Sequence, residues 1–238
     1  MEQIKEYKHD VFTIDDIVSE EEAQKIINYL EYLADNDILK WNQISFYESW
    51  AMGFWKFDPK LVSFGLPIDY FAKLKERIKS ASEKALGQPL VEVSYHAQKW
   101  ETGAHAGFHS DNSKDGKPTA FERSKFAAFL YLNDSFEGGL LNFEHHPITI
   151  KPKIGMLAVF DGGHGNEHEV TVVESGVRYT IGSFWDKEGM VYSEERIKEM
   201  EDELKGTRSE QDEMYKEWNA DKEKGIILTP YGKVQKDV

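Results

Sequence analysis

Hydrophobic residues recur at two different spacings along this chain. In 19–35, SEEEAQKIINYLEYLAD, Ala23, Ile26, Ile27, Leu30, Leu33 and Ala34 fall on one face of a helix. Ser19 and Glu22 stand at capping-box spacing and mark its start. A second stripe, Phe71, Leu74, Ile78, Ala81 and Ala85, predicts a helix over 68–86 that Gly87 ends. Stripes of this width on surface helices are core contacts, and both are read so here.

From residue 91 the spacing drops to two. In VEVSYHAQKW, Val91, Val93, Tyr95 and Ala97 alternate with other residues, the pattern of a half-buried strand. Further strands are expected at 125–133, 140–143, 148–150, 156–160, 169–173 and 178–185, with turns at Gly138-Gly139 and Gly162-Gly163. Many short strands without helices between them predict a sandwich or barrel. After Asp186 helix returns: Ile197, Met200 and Leu204 share one stripe and Met214 and Trp218 another, before a TPYG turn. The organisation expected is one domain, 1–238, with an N-terminal helical support (14–90), a β core (91–186) and a C-terminal helical arm (187–238) that packs.

Composition narrows the chemistry. Hydrophobic residues at 40% and aromatics at 13% are ample for a packed core. A net charge of −14 argues against a broad electrostatic grip on nucleic acid or on an anionic membrane. The chain has no cysteine, which removes disulfides, thiolate metal sites and cysteine nucleophiles together. The opening MEQIKEYKHDVF has no apolar run, so no secretory signal and a cytoplasmic location are expected.

Of eight histidines, six lie between His105 and His168, inside the expected β core. In AHAGFHSDNS, His109 and Asp111 are two apart, so on a strand both aim to one side. An imidazole and a carboxylate aimed together, joined by a histidine from a distant strand, make the facial triad that holds Fe(II) and leaves coordination positions open. Alone, the pair reads more readily as a strand-end Asp/His pair bonded to backbone than as a metal site. His168 opens a later expected strand, and Arg178 lies in the next, among apolar and aromatic neighbours. An arginine there is costly to bury without an anion, and its planar fork suits a carboxylate. A metal triad with such an arginine asks for a ligand that chelates at one end and carries a carboxylate at the other. 2-Oxoglutarate meets that description.

The stretches WETGAHAGFHSD, AAFLYLNDSFEGGLLNF and HEVTVVESGVRYTIGSFW, in that order, cover most of 95–186 and resemble the Fe(II)- and 2-oxoglutarate-dependent dioxygenases of the prolyl 4-hydroxylase-like branch. FTIDDIVSEEEAQKIINYL resembles that branch's approach to its first helix. The resemblance implies a mainly β, α+β fold: a double-stranded β-helix (a cupin-like jelly roll) flanked by N-terminal helices and a C-terminal helical segment. It puts the metal ligands on His109, Asp111 and His168. The distal carboxylate of 2-oxoglutarate falls to Arg178, with help from Tyr131. The position that is commonly tyrosine is Trp100 here, so packing is expected at that place in the co-substrate pocket and a phenol contact is not. The GGLLNF strand lacks the family's usual threonine, with Leu141 and Asn142 nearby. The implied cofactor is Fe(II), with 2-oxoglutarate and O2 as co-substrates and ascorbate as a reductant. The implied reaction is hydroxylation of a C–H bond, most simply of peptidyl proline, with release of succinate and CO2. Two alternatives stand beside it: hydroxylation of a free amino acid or other small molecule, and a metal-binding jelly roll that senses without turnover.

Other features are read more plainly. HAGFH lacks the glutamate of a zincin helix, and Gly107 weakens helix there. His105 is placed at the mouth of the site, His145 and His146 on the surface, and His164 in a solvated loop. Glu167 and Glu169 are placed in solvent or behind the ligands. The aromatic run 41–57 is read as packing, with a substrate groove as the alternative, and the polar loop 110–124 as a mouth loop.

Overall fold

The computed structural model describes residues 3–38, 41–43, 49–53, 58–206, 226–229 and 232–235, with the backbone alone for 42–43, 49–53, 226–229 and 232–235. The aromatic run after Trp41, the Met214 and Trp218 stripe and the TPYG turn therefore lie outside the described side chains.

Two antiparallel sheets face one another. The larger has eight strands, in the spatial order Ile4–Lys8, Val11–Ile14, Leu157–Asp161, Phe126–Tyr131, Val177–Lys187, Leu90–Glu101, Ser49–Gly53 and Asn42–Gln43. The smaller has four: His146–Ile150, Leu141–Phe143, His168–Val170 and Ala106–His109. Two facing sheets of short antiparallel strands, backed by helices, form the double-stranded β-helix.

The helices form where expected. One runs Glu20–Asp35 with both halves of the Ser19/Glu22 capping box made, and the other Tyr70–Leu86, ended by Gly87 in a left-handed conformation. Their apolar faces, Ile26, Leu30 and Leu33 with Phe71, Leu74 and Ile78, pack on one side of the large sheet against Leu130, Val159, Ile181 and Trp185. Alternate residues of the same strands point the other way. Ala127, Tyr131, Ala158 and Phe160 meet Leu141, Phe143 and Ile150 of the small sheet. Both faces of Phe126–Tyr131 are thus covered, which is why FAAFLY is a continuous apolar run rather than an alternating one.

The approach to the first helix is a finding beyond the sequence pattern. Val11–Ile14 is a strand with all four residues buried, paired on one side with Ile4–Lys8 and on the other with Leu157–Asp161. Residues 194–206 are helical. In that helix Met200 is buried while Ile197 is 44% exposed, so only part of the expected stripe packs.

Candidate metal and anion site

Strand pairing in the small sheet creates the first half of the site. His109 closes one strand, His168 opens its neighbour, and the two are partners in register. Their rings lie 4.5 Å apart. Asp111 sits just past the strand rather than within it. It aims inward because its N–H donates to Gly162 O at 2.8 Å while Ser110 Oγ donates to the same carbonyl at 3.0 Å. The close approach requires glycine: a Cβ on Gly162 would collide with Asp111 Oδ2.

The result is a three-donor cluster. Asp111 Oδ1 is 3.7 Å from Nε2 of both His109 and His168. Donor atoms of the three residues all lie within 4.8 Å of one another, and no other such group occurs among the described residues. Each imidazole Nδ1 is turned to a backbone carbonyl, His109 to Gly107 O at 2.8 Å and His168 to Asn166 O at 3.0 Å. A carbonyl only accepts, so Nδ1 carries the hydrogen and each Nε2 offers its lone pair to the centre. Burial depresses the His168 pKa to about 3, with His109 adding to the effect, and burial also lowers His109. Burial pushes Asp111 up to about 8, with Asp161 contributing. Its Oδ2 is buried without a hydrogen-bond partner. Two neutral imidazoles and a carboxylate so placed fit a divalent cation, which would satisfy all three.

The second half lies across the same pocket, on the inward face of the large sheet. Arg178 is 2% exposed, and its Nε and Nη1 have no hydrogen-bond partner. No carboxylate among the described residues pairs with it. Its guanidinium lies between two rings, 5.2 Å from the centroid of Trp100 and 5.1 Å from that of Tyr131. Tyr131 Oη is likewise buried, makes no regular hydrogen bond and interacts with the Arg178 cation. Burial lowers the Arg178 pKa, and burial raises that of Tyr131 against the pull of the neighbouring cation. Trp100 Nε1 donates to Gln98 Oε1, so the indole presents its face to the guanidinium and spends its N–H elsewhere.

One pocket touches all six residues singled out from the sequence: His109, Asp111 and His168 with Arg178, Tyr131 and Trp100. Phe129, Leu141, Phe184 and Gln98 complete much of its wall and were not singled out. Period-two alternation could have found three of them, since Phe129 precedes Tyr131 by two, Gln98 precedes Trp100 by two, and Phe184 follows Arg178 by six. Of the pair near the missing threonine, Leu141 lines the pocket, whereas Asn142 bonds Glu169 and Thr149. Outside the pocket, His145 and His164 both contact Glu167. His146 is less of a surface residue than expected: its ring stacks on His9 at 3.7 Å and bonds Asn166.

Residues 94–186 match the sequence profile of the 2OG-Fe(II) oxygenase superfamily. That stretch contains all six residues of the pocket named above. Among curated relatives, human prolyl 3-hydroxylase 2 is 33% identical over 86 residues, which are 34% of this chain and 12% of the relative. Human prolyl 3-hydroxylase 3 is 36% identical over 70 residues, 27% of this chain and 10% of the relative. The chain thus spans about an eighth of the length of the first of these. Among solved structures, a Pseudomonas putida prolyl-4-hydroxylase superposes with a TM-score of 0.54 at 18% identity, covering 76% of this chain and 95% of its own. A prolyl hydroxylase from Trichoplax adhaerens, solved with a hypoxia inducible factor peptide fragment, gives 0.56 at 15%, covering 76% and 85%. At such identities the likeness is one of fold, and it bears out the double-stranded β-helix expected from the sequence.

Proposed function

We propose that this 2OG-Fe(II) oxygenase domain hydroxylates a C–H bond of a peptidyl proline, consuming 2-oxoglutarate and O2 and releasing succinate and CO2. One observation carries the reading. A cation-seeking donor cluster and a buried guanidinium without an anion share a single pocket. Each leaves an unsatisfied buried group that is costly alone, and one ligand spanning both would relieve the two costs together.

Ferrous iron, when bound, supplies the activation of O2 that couples decarboxylation of the oxo acid to oxidation of the C–H bond. His109, Asp111 and His168 would hold it. Their backbone-bonded Nδ1 atoms keep the imidazoles oriented and neutral, so the proton to be displaced on metal entry is that of the Asp111 carboxyl, which burial holds up to about 8. Arg178 would receive the distal carboxylate of 2-oxoglutarate in a charge-assisted pair, and Tyr131 Oη would donate to the same group. Trp100 would serve as a wall. Phe129, Leu141 and Phe184 keep the space between the two ends apolar and short of water, which strengthens the ion pair. No side chain needs to act as acid or base.

Proline as the substrate is supported by kinship: the relatives and neighbours named above are all prolyl hydroxylases. We place the enzyme in the cytoplasm as part of this proposal. No helix among the described residues is long and apolar enough to cross a membrane.

Incubation with Fe(II), 2-oxoglutarate, ascorbate and a library of proline-containing peptides tests the reading. The expected outcome is peptides heavier by one oxygen, with matching succinate, and neither product from the His168→Ala protein. NMR of the product then places the hydroxyl on the ring. Turnover of free amino acids alone would shift the substrate class, and absence of succinate under every condition would rule out the enzyme.

A further inference from the structure

One of the wall residues, Gln98, joins the groups around the anion end of the pocket. Gln98 is 4% exposed and lies on the inward face of Leu90–Glu101. Its Oε1 accepts from Trp100 Nε1 at 3.1 Å and from Thr180 Oγ1 at 3.2 Å. Its Nε2 lies 3.1 Å from His96 Nε2. The orientation of the amide follows from its partners: an indole N–H can only donate, so the oxygen must face Trp100. The amide nitrogen then donates to His96, whose Nε2 accepts as a neutral imidazole. Burial lowers the His96 pKa to about 4, in keeping with that direction.

Strand register explains how these groups meet. Trp100 is the partner of Arg178, Gln98 of Thr180 and His96 of Gly182 on the adjoining strand. Thr180 is in turn the partner of Tyr131 on its other side. One amide therefore ties the strand bearing Trp100 to the strand bearing Arg178, one rung from the guanidinium. Without it the indole N–H loses this acceptor, and the ring loses its tie to the strand that carries the cation. The indole is the wall that replaces the usual tyrosine of the resemblance, and it has no hydroxyl with which to anchor itself.

We infer that Gln98 is a positioning residue that locks Trp100 flat against Arg178 and so pre-forms the anion end of the pocket. This rests on the reading that Arg178 receives the distal carboxylate of 2-oxoglutarate. A pre-formed site binds more tightly because the wall needs no ordering when the ligand arrives.

The test is calorimetric titration of 2-oxoglutarate into the full chain loaded with Mn(II), an oxygen-stable divalent stand-in for iron. Gln98→Met keeps the volume and removes both hydrogen-bonding roles. Its 2-oxoglutarate affinity is expected to fall about tenfold, the scale of one buried hydrogen bond left unmade. Affinity for Mn(II), set at the other end of the pocket, stays within about twofold of wild type. In turnover, KM for 2-oxoglutarate rises by the larger factor and kcat falls less. Gln98→Asn, polar but one methylene short, gives the same split and serves if the methionine variant does not fold. Wild-type affinity in either folded variant would overturn the inference alone, as would parallel loss of Mn(II) and 2-oxoglutarate. Failure of the wild-type protein to bind 2-oxoglutarate would overturn the inference and the proposed function together.

Discussion

The two faces of the large sheet are built from the same strands, yet they handle polar atoms differently. On the helix side, Leu130, Val159 and Ile181 meet Ile26, Leu30 and Leu74, and the unmatched buried side-chain atoms are the indole nitrogens of Trp41 and Trp185. On the inward side, the unmatched atoms belong to Tyr131 and Arg178, with Asp111 from the edge of the small sheet in the same pocket. An unmet indole N–H is a modest cost, whereas an unmet guanidinium or carboxylate is a large one. One face is optimised for the folded chain by itself. The other is completed only by what binds there. Alternation along a strand lets one sequence carry both, since Ile181 and Arg178 lie on the same strand three residues apart.

Breaking each face should therefore give a different signature. The largest effect is expected from His168→Ala, which removes a donor from the inward cluster. Metal-dependent succinate release should fall at least about a thousandfold while the fold survives, as circular dichroism would show. Ile26→Ala attacks the helix side, where Ile26 is fully buried. It should cost about 2–5 kcal/mol in denaturant unfolding and leave KM for 2-oxoglutarate unchanged. Arg178→Met should raise that KM about a hundredfold, the worth of a desolvated ion pair, and yet raise the melting temperature of the ligand-free protein. A ligand-free variant less stable than wild type would mean that Arg178 helps the fold, and the contrast between the faces would be lost. The smallest effect belongs to Ser19→Ala. Loss of the capping box should cost about 1 kcal/mol of stability and leave catalysis alone.

The sequence disclosed these regions unevenly. The helices were legible because each carries one apolar stripe and a cap, at Ser19 and Gly87. Most strands of the β core were legible through turn residues and short apolar runs. The Val11–Ile14 strand was not, because a strand covered on both faces shows no alternation and VFTI leads directly into a helix start. The six residues named for the pocket all line it, though no single spacing identified them; order and context along 95–186 did. Asp111 was expected on a strand beside His109. It is placed instead by Gly162, whose missing side chain admits the carboxylate, a contact that no local pattern encodes. Gln98 went unnoticed because a glutamine within an alternating strand looks like any solvent-facing polar position. Its burial depends on which face the sheet closes over.

The central claim is that one ligand spans the two ends of the pocket, and a double comparison tests it most directly. Titrate 2-oxoglutarate, and 2-oxobutyrate as the analogue lacking the distal carboxylate, into Mn(II)-loaded wild-type and Arg178→Met proteins. The account predicts that loss of the carboxylate costs the wild type about a hundredfold in affinity and costs the variant almost nothing, because the two changes remove the same contact. Equal losses in both proteins would show that the carboxylate and Arg178 do not meet, and would contradict the account.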